Sequence, residues 1–142
     1  MKLLYRTMLI LHAFIGIGGM AGGLGAITNP NLPMGVSTEL LKNSPFSNYL
    51  IPGILLFSVI GIGNVIASVG ILCKFKWQGY LSSVFSWALV IWIIVQCIML
   101  RMVATLHIVF FFIGVIEAAL SAVMLFKERL FPTNIILKLL KK

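Results

Sequence analysis

A carboxylate inside an apolar helix is the most consequential chemical feature of this chain. Glu117 sits in the run Phe110 to Lys127, FFFIGVIEAALSAVMLFK, with no other acid or base before the closing lysine. Lys127 follows ten residues later, about 15 Å along a helix rising 1.5 Å per residue. That is half of a hydrocarbon core roughly 30 Å thick, so across a bilayer Glu117 falls near the midplane. An ionised carboxylate facing lipid there costs roughly 2.5 kcal/mol or more. The acid must therefore be protonated or face a partner inside the protein. Either way it is a candidate for proton or cation binding.

An earlier apolar run repeats the spacing around this acid. Gly61-x-x-Asn64-x-x-x-Ser68 leads to Leu72 and Lys74, and Gly114-x-x-Glu117-x-x-x-Ser121 leads to Leu125 and Lys127. Offsets of three and four put each trio on one helix face. The two runs cross in the same direction, so Asn64 and Glu117 fall at equal depth. The pattern suggests two helical hairpins related by a parallel repeat, a device known among membrane folds; chance recurrence of Gly and Ser is the plain alternative. With the strips facing each other, the Asn64 amide is expected to donate to Glu117. Ser68 and Ser121 are expected to bond helix carbonyls or cross-link helices weakly, at roughly 0.6 kcal/mol each.

Other polar residues are sparser. Gln96, Arg101 and His107 flank one short turn and suggest an outer polar cluster. His12 lies six residues past Arg6, about 9 Å along the helix, which reads as an interfacial or packing histidine. His12 and His107 then lie at opposite depths and cannot share a haem or a metal, and no cofactor is expected. Cys73 and Cys97 are far apart, with neither Cys-x-x-Cys nor Cys/His zinc spacing, and read as reduced thiols at apolar sites. Gly16-x-Gly18-x-x-Ala21 loosely fits a dinucleotide fingerprint, but no strand precedes it.

The elements that must position these residues are plain. The 142 residues are 61% hydrophobic and 10% charged, with mean hydropathy +1.11, whereas a soluble domain carries about 25% charge. The expectation is an all-α integral membrane protein, an antiparallel four-helix bundle forming one domain over residues 1–130. Its spans are expected near 8–27, 50–72, 81–100 and 102–126. The first span follows a basic head, but its 20 apolar residues exceed the 7–15 residues usual in a cleaved leader. It carries two smooth strips, Gly18/Gly22 and Gly19/Gly23, which with Gly61 and Gly114 suit close helix packing. Residues 28–49, with Pro30, Pro33 and Pro45, form an outer loop expected to fold back as a lid, with Ser37 capping a short helix over 38–42. Phe131-Pro132-Thr133-Asn134 breaks the chain, and 135–142 reads as an amphipathic basic helix attracted to anionic lipid.

The net charge of +8 could suggest nucleic acid, but the basic residues sit at the ends of apolar runs. Nine of them lie in the head, the 73–79 turn and the tail, and only Lys42 and Arg101 lie on the other side. The positive-inside rule places both termini in the cytoplasm. Tyr5, Trp77 and Tyr80 then form the inner aromatic belt and Tyr49 belongs to the outer one.

Three functions suit such a chain. The first is an interaction or accessory module whose glycine-rich faces bind another membrane subunit or a second copy, with Glu117 only a structural hydrogen bond. The second is a small proton- or cation-coupled transporter using Glu117 and Asn64. The third is a lipid-binding protein or membrane enzyme taking substrate between helices, although no acid pair, nucleophile–base pair or metal-ligand spacing supports catalysis.

One stretch carries a resemblance. Ser44-Pro45-Phe46-Ser47-Asn48-Tyr49-Leu50-Ile51-Pro52-Gly53 resembles the lead-in to the second span in a broad group of small bacterial four-span proteins without an assigned activity. Those proteins also share a glycine-rich first span, a third span with Trp and Gln (here Trp92 and Gln96) and a late Gly-x-x-Glu (here Gly114 and Glu117). The resemblance covers most of the chain and implies a four-span fold in a bacterial plasma membrane, but no chemistry. Small multidrug resistance transporters fit poorly, because their acid lies in the first span. The four-span enzymes of eicosanoid and glutathione metabolism also fit poorly, since of their Glu-Arg pair followed by Asn only Asn64 is present.

Overall fold

The computed structural model describes residues 2–130 and 133–141. Among them no strand occurs, and four helices are long and apolar enough to cross a membrane. These are α1 (Lys2–Thr28), α2 (Leu50–Leu72), α3 (Gln78–Leu100) and α4 (Thr105–Glu128). A short helix, α5 (Thr133–Leu140), follows. The expected break at Phe131-Pro132 and the charge on Lys142 lie outside the described residues.

Consecutive helices run antiparallel, as their pairings show. Gly16 meets Val65 and Gly23 meets Phe57; Gly70 meets Leu81; Gly79 meets Leu125 and Gly114 meets Val90. Tyr5 donates to Glu128 and Phe14 stacks on Phe110, which closes the ring between α1 and α4. One end of the bundle carries the N-terminus, the 73–77 turn and α5; we call it the terminal end. The other carries the long loop and the 101–104 turn, and is the loop end.

Helix bounds differ from expectation mainly at charged ends. The first helix starts at Lys2, not Met8, because lysine, tyrosine and arginine extend a helix as readily as they end an apolar run. The fourth begins at Thr105, because Arg101 ends α3 in the left-handed conformation and residues 102–104 are not helical. Nothing in composition announces the departure inside α2. Leu56–Ile62 is π-helical, in the stretch that lies against Gly19 and Gly23 of α1. Such stretches are rare and are frequent at functional sites.

In the loop, Ser37 caps a 3₁₀ turn over Thr38–Leu41 by accepting from the Glu39 N–H, and the Tyr49 hydroxyl donates to the Ser37 carbonyl. Leu41 is buried while Met34, at φ 50°, reaches back over Gly25. At the terminal end Lys76 lies 5.3 Å over the Trp77 ring, which tilts against Tyr80. Cys73 is exposed at this turn, so the apolar-site reading does not hold for it; Cys97 is half-buried, and both are free thiols.

Two apolar clusters fill the core. Ile15, Ile60, Leu89 and Ile93 pack toward the loop end, and Met8, Ile71 and Met124 pack toward the terminal end. Between them lies a polar zone.

Candidate functional site

Seven polar side chains are buried among the described residues: His12, Asn64, Ser68, Ser82, Ser86, Glu117 and Ser121. All four long helices contribute. The helix register stacks them in two layers, with His12, Asn64, Ser86 and Glu117 on the loop side and Ser68, Ser82 and Ser121 on the terminal side.

The first layer holds the chemistry. Asn64 Nδ2 donates to the Ile60 carbonyl at 2.8 Å, inside the π-helical stretch. That fixes Oδ1 as the free acceptor, and it lies 2.7 Å from His12 Nδ1. The imidazole is therefore assigned as donating from Nδ1, which leaves Nε2 as its basic nitrogen. His12 Nδ1 also lies 3.5 Å from Glu117 Oε1. Both residues have no solvent exposure. Among the described residues neither Glu117 oxygen has a hydrogen-bond partner, and neither does His12 Nε2. Buried polar atoms without partners are few in folded proteins, and each calls for an explanation.

The expected Asn64-to-Glu117 hydrogen bond is not what the structure has. The Asn64 amide turns along its own helix to Ile60, and its oxygen turns to His12, so the imidazole stands where the amide was expected. Ser68 donates across to the Leu9 carbonyl at 3.1 Å, and Ser121 donates to Ala118 on its own helix at 2.7 Å. Ser86 donates to the Ser82 carbonyl, while the Ser82 hydroxyl has no partner.

Sequence reasoning alone does not single out His12, Ser82 or Ser86 as site residues. A signal for the serines exists, since Ser82 and Ser86 are four apart on one face of an apolar helix. His12 lies deeper than its distance from Arg6 implies. Glu128 is a further acid that the sequence does not flag; it accepts from the Tyr5 hydroxyl at 3.2 Å and lies against Gly79.

The outer cluster does not assemble as expected. His107 Nδ1 accepts from the Ala104 N–H at 3.1 Å, capping the start of α4. Gln96 and His107 both line a cavity near the loop end, but Arg101 does not and is exposed on its turn. Among the described residues no three His, Cys, Asp or Glu side chains converge in a way that could hold a metal ion.

The glycines divide into two groups. Gly19, Gly23, Gly61 and Gly114 lie where a neighbouring helix approaches closely, so these faces are covered within the chain. Gly18 has no neighbour where a Cβ would stand, and Gly22 has only the end of Leu56.

Comparison with family models, with curated proteins and with solved structures finds no match to this chain.

Proposed function

We propose that the chain is an integral membrane protein, with both termini cytoplasmic, that binds and exchanges protons at the His12–Glu117 pair as a small proton- or cation-coupled carrier. The observation that carries this reading is the pair itself, buried and aligned by Asn64, with three polar atoms left unbonded. A fixed structural hydrogen bond would have given at least one Glu117 oxygen a partner, and among the described residues neither has one.

The energetics favour exchange over permanent charge. Opposite charges near 4 Å attract by about 4 kcal/mol at an effective dielectric of 20. Withdrawing each ion from water costs several kcal/mol. Two such withdrawals together outweigh the attraction, so the neutral form is favoured and the imidazolium–carboxylate form is reached only as water enters. A site of that kind can load and unload as water reaches it. The apolar clusters on both sides supply gates: protons reach the pair only when one of them opens.

The proton test is infrared difference spectroscopy in liposomes across pH 5 to 9, on the native chain and Glu117→Gln. A carboxyl band that titrates in the native protein and vanishes in the variant is the expected result. A band that stays constant through the range would sink the carrier reading.

Orientation has its own test, using a thiol already present. In a Cys97→Ala background, Cys73 is expected to resist an impermeant maleimide in intact cells and to react in inverted vesicles. The reverse pattern would overturn the proposed orientation.

The accessory-module reading keeps one observation in its favour: the Gly18 side of α1 is uncovered. A second membrane helix would find there the smooth surface that close packing needs.

A further inference from the structure

A cavity of about 300 Å³ lies at the loop end, separated from the His12–Glu117 pair by the Ile15, Ile60 and Leu89 layer. That volume is at the lower end of the range for small-molecule sites. Its walls are mainly apolar, with Leu56, Leu106 and Phe110 among them, and Met34 of the long loop covers one side. Three polar side chains line it: Trp92, Gln96 and His107.

Their hydrogen-bonding state defines the ligand. The Trp92 indole N–H is buried and has no partner. Because His107 Nδ1 accepts from the Ala104 N–H, its hydrogen is assigned to Nε2, a second donor. The Gln96 amide supplies two further donors and one acceptor, its carbonyl oxygen. Among the described residues no charged side chain lines the space. The lining therefore offers mainly donors in an apolar, uncharged surround, which suits an acceptor without formal charge.

The packing also points to an access route. Gly18 and Gly22 form one rim, Leu106 and Phe110 the other, and α1 packs more sparsely on α4 than on α2. We propose that this cavity binds a neutral, mainly apolar small molecule bearing a carbonyl-type acceptor, which enters sideways between α1 and α4. The assignment stands whether or not the deeper pair exchanges protons.

The test uses two probes of similar shape, 4-bromoacetophenone and 1-bromo-4-ethylbenzene; only the first carries a carbonyl. The protein is the full chain in lipid nanodiscs with Trp77→Phe and Trp87→Phe, so that Trp92 alone fluoresces. The ketone is expected to quench Trp92 saturably, with roughly three- to ten-fold higher affinity than the hydrocarbon, the ratio one hydrogen bond confers. Gly22→Val is expected to abolish saturable quenching, because its Cβ stands 3.3 Å from Leu56 Cδ2 on the cavity wall. Gly18→Leu is expected to weaken it by closing the rim, and its Cβ meets no atom within 4 Å. Linear quenching by both probes would mean membrane partitioning without a site and would overturn the proposal. Equal affinities would remove the carbonyl from it. Saturable quenching unchanged in both glycine variants would place the probe elsewhere. The two-probe comparison needs no glycine variant, so a misfolded variant leaves the proposal open to refutation.

Discussion

Replacing Glu117 by leucine is expected to stabilise the bundle by about 1–3 kcal/mol while abolishing the proposed proton exchange. Both carboxyl oxygens are buried without a hydrogen-bond partner, and leaving such an atom unsatisfied costs about 1–3 kcal/mol. Leucine is close in size, so its replacement leaves little empty space. Of the polar surroundings, the substitution removes the 3.5 Å approach to His12 and nothing else. Removing one partner of a buried ion pair is costly where the other is left charged; here the remaining imidazole is left neutral, donating to Asn64 Oδ1. His12→Leu should move the other way, because it strands the Asn64 oxygen now held at 2.7 Å and so costs about 1–3 kcal/mol. Equilibrium unfolding of both variants in one detergent gives the two signs. A gain at Glu117 paired with a loss at His12 identifies the acid as a group kept at the expense of stability, as functional groups often are. Should Glu117→Leu instead lose more than about 1 kcal/mol, the carboxyl is holding helices together, and the scaffold reading displaces the carrier.

The same site shows what a sequence can reveal and where it stops. Asn64 and Glu117 are legible because each stands alone in an apolar run, in phase with a glycine and a serine. Their helices are buried along that phase: Gly61, Asn64 and Ser68 in α2, and Gly114, Glu117 and Ser121 in α4, all face inward. The partner of the acid is not legible. Counting depth at a fixed rise from flanking charges assumes upright helices whose charges lie at one level. Here His12 meets Glu117, and in that antiparallel register Arg6 stands level with residue 123, four residues short of Lys127. An offset of that size brings His12 to Glu117 although their counted depths differ. The π-helical stretch is equally hidden, since Leu56–Ile62 has no proline and reads as ordinary apolar helix. Yet that stretch contains the Ile60 carbonyl that turns the Asn64 amide away from the acid.

The two glycine strips of α1 are also visible in the sequence, but which of them faces another helix is not, and substitution separates them sharply. Gly23→Ala is expected to carry an overpacking cost of about 3 kcal/mol, at the upper end of the range. An added Cβ would stand 2.5 Å from Phe57 N and 2.7 Å from its Cα. Backbone cannot rotate out of the way as a flexible side chain can, so α1 and α2 must separate. Separation has a second consequence, because the same interface carries the 2.7 Å bond from His12 to Asn64 and the 3.1 Å bond from Ser68 to Leu9. Close packing and interhelical hydrogen bonds are what join helices in lipid, where no hydrophobic force does so. Gly18→Ala, five residues earlier on the uncovered strip, meets nothing within 4 Å and should gain up to about 1 kcal/mol from helix propensity. Unfolding of the two variants under identical conditions measures the difference, expected near the overpacking cost of about 3 kcal/mol, since the propensity gain is common to both positions of the helix. Equal effects would mean that α1 does not present its Gly19/Gly23 strip to α2, and the alignment of His12 with Asn64 and Glu117 would fall with it.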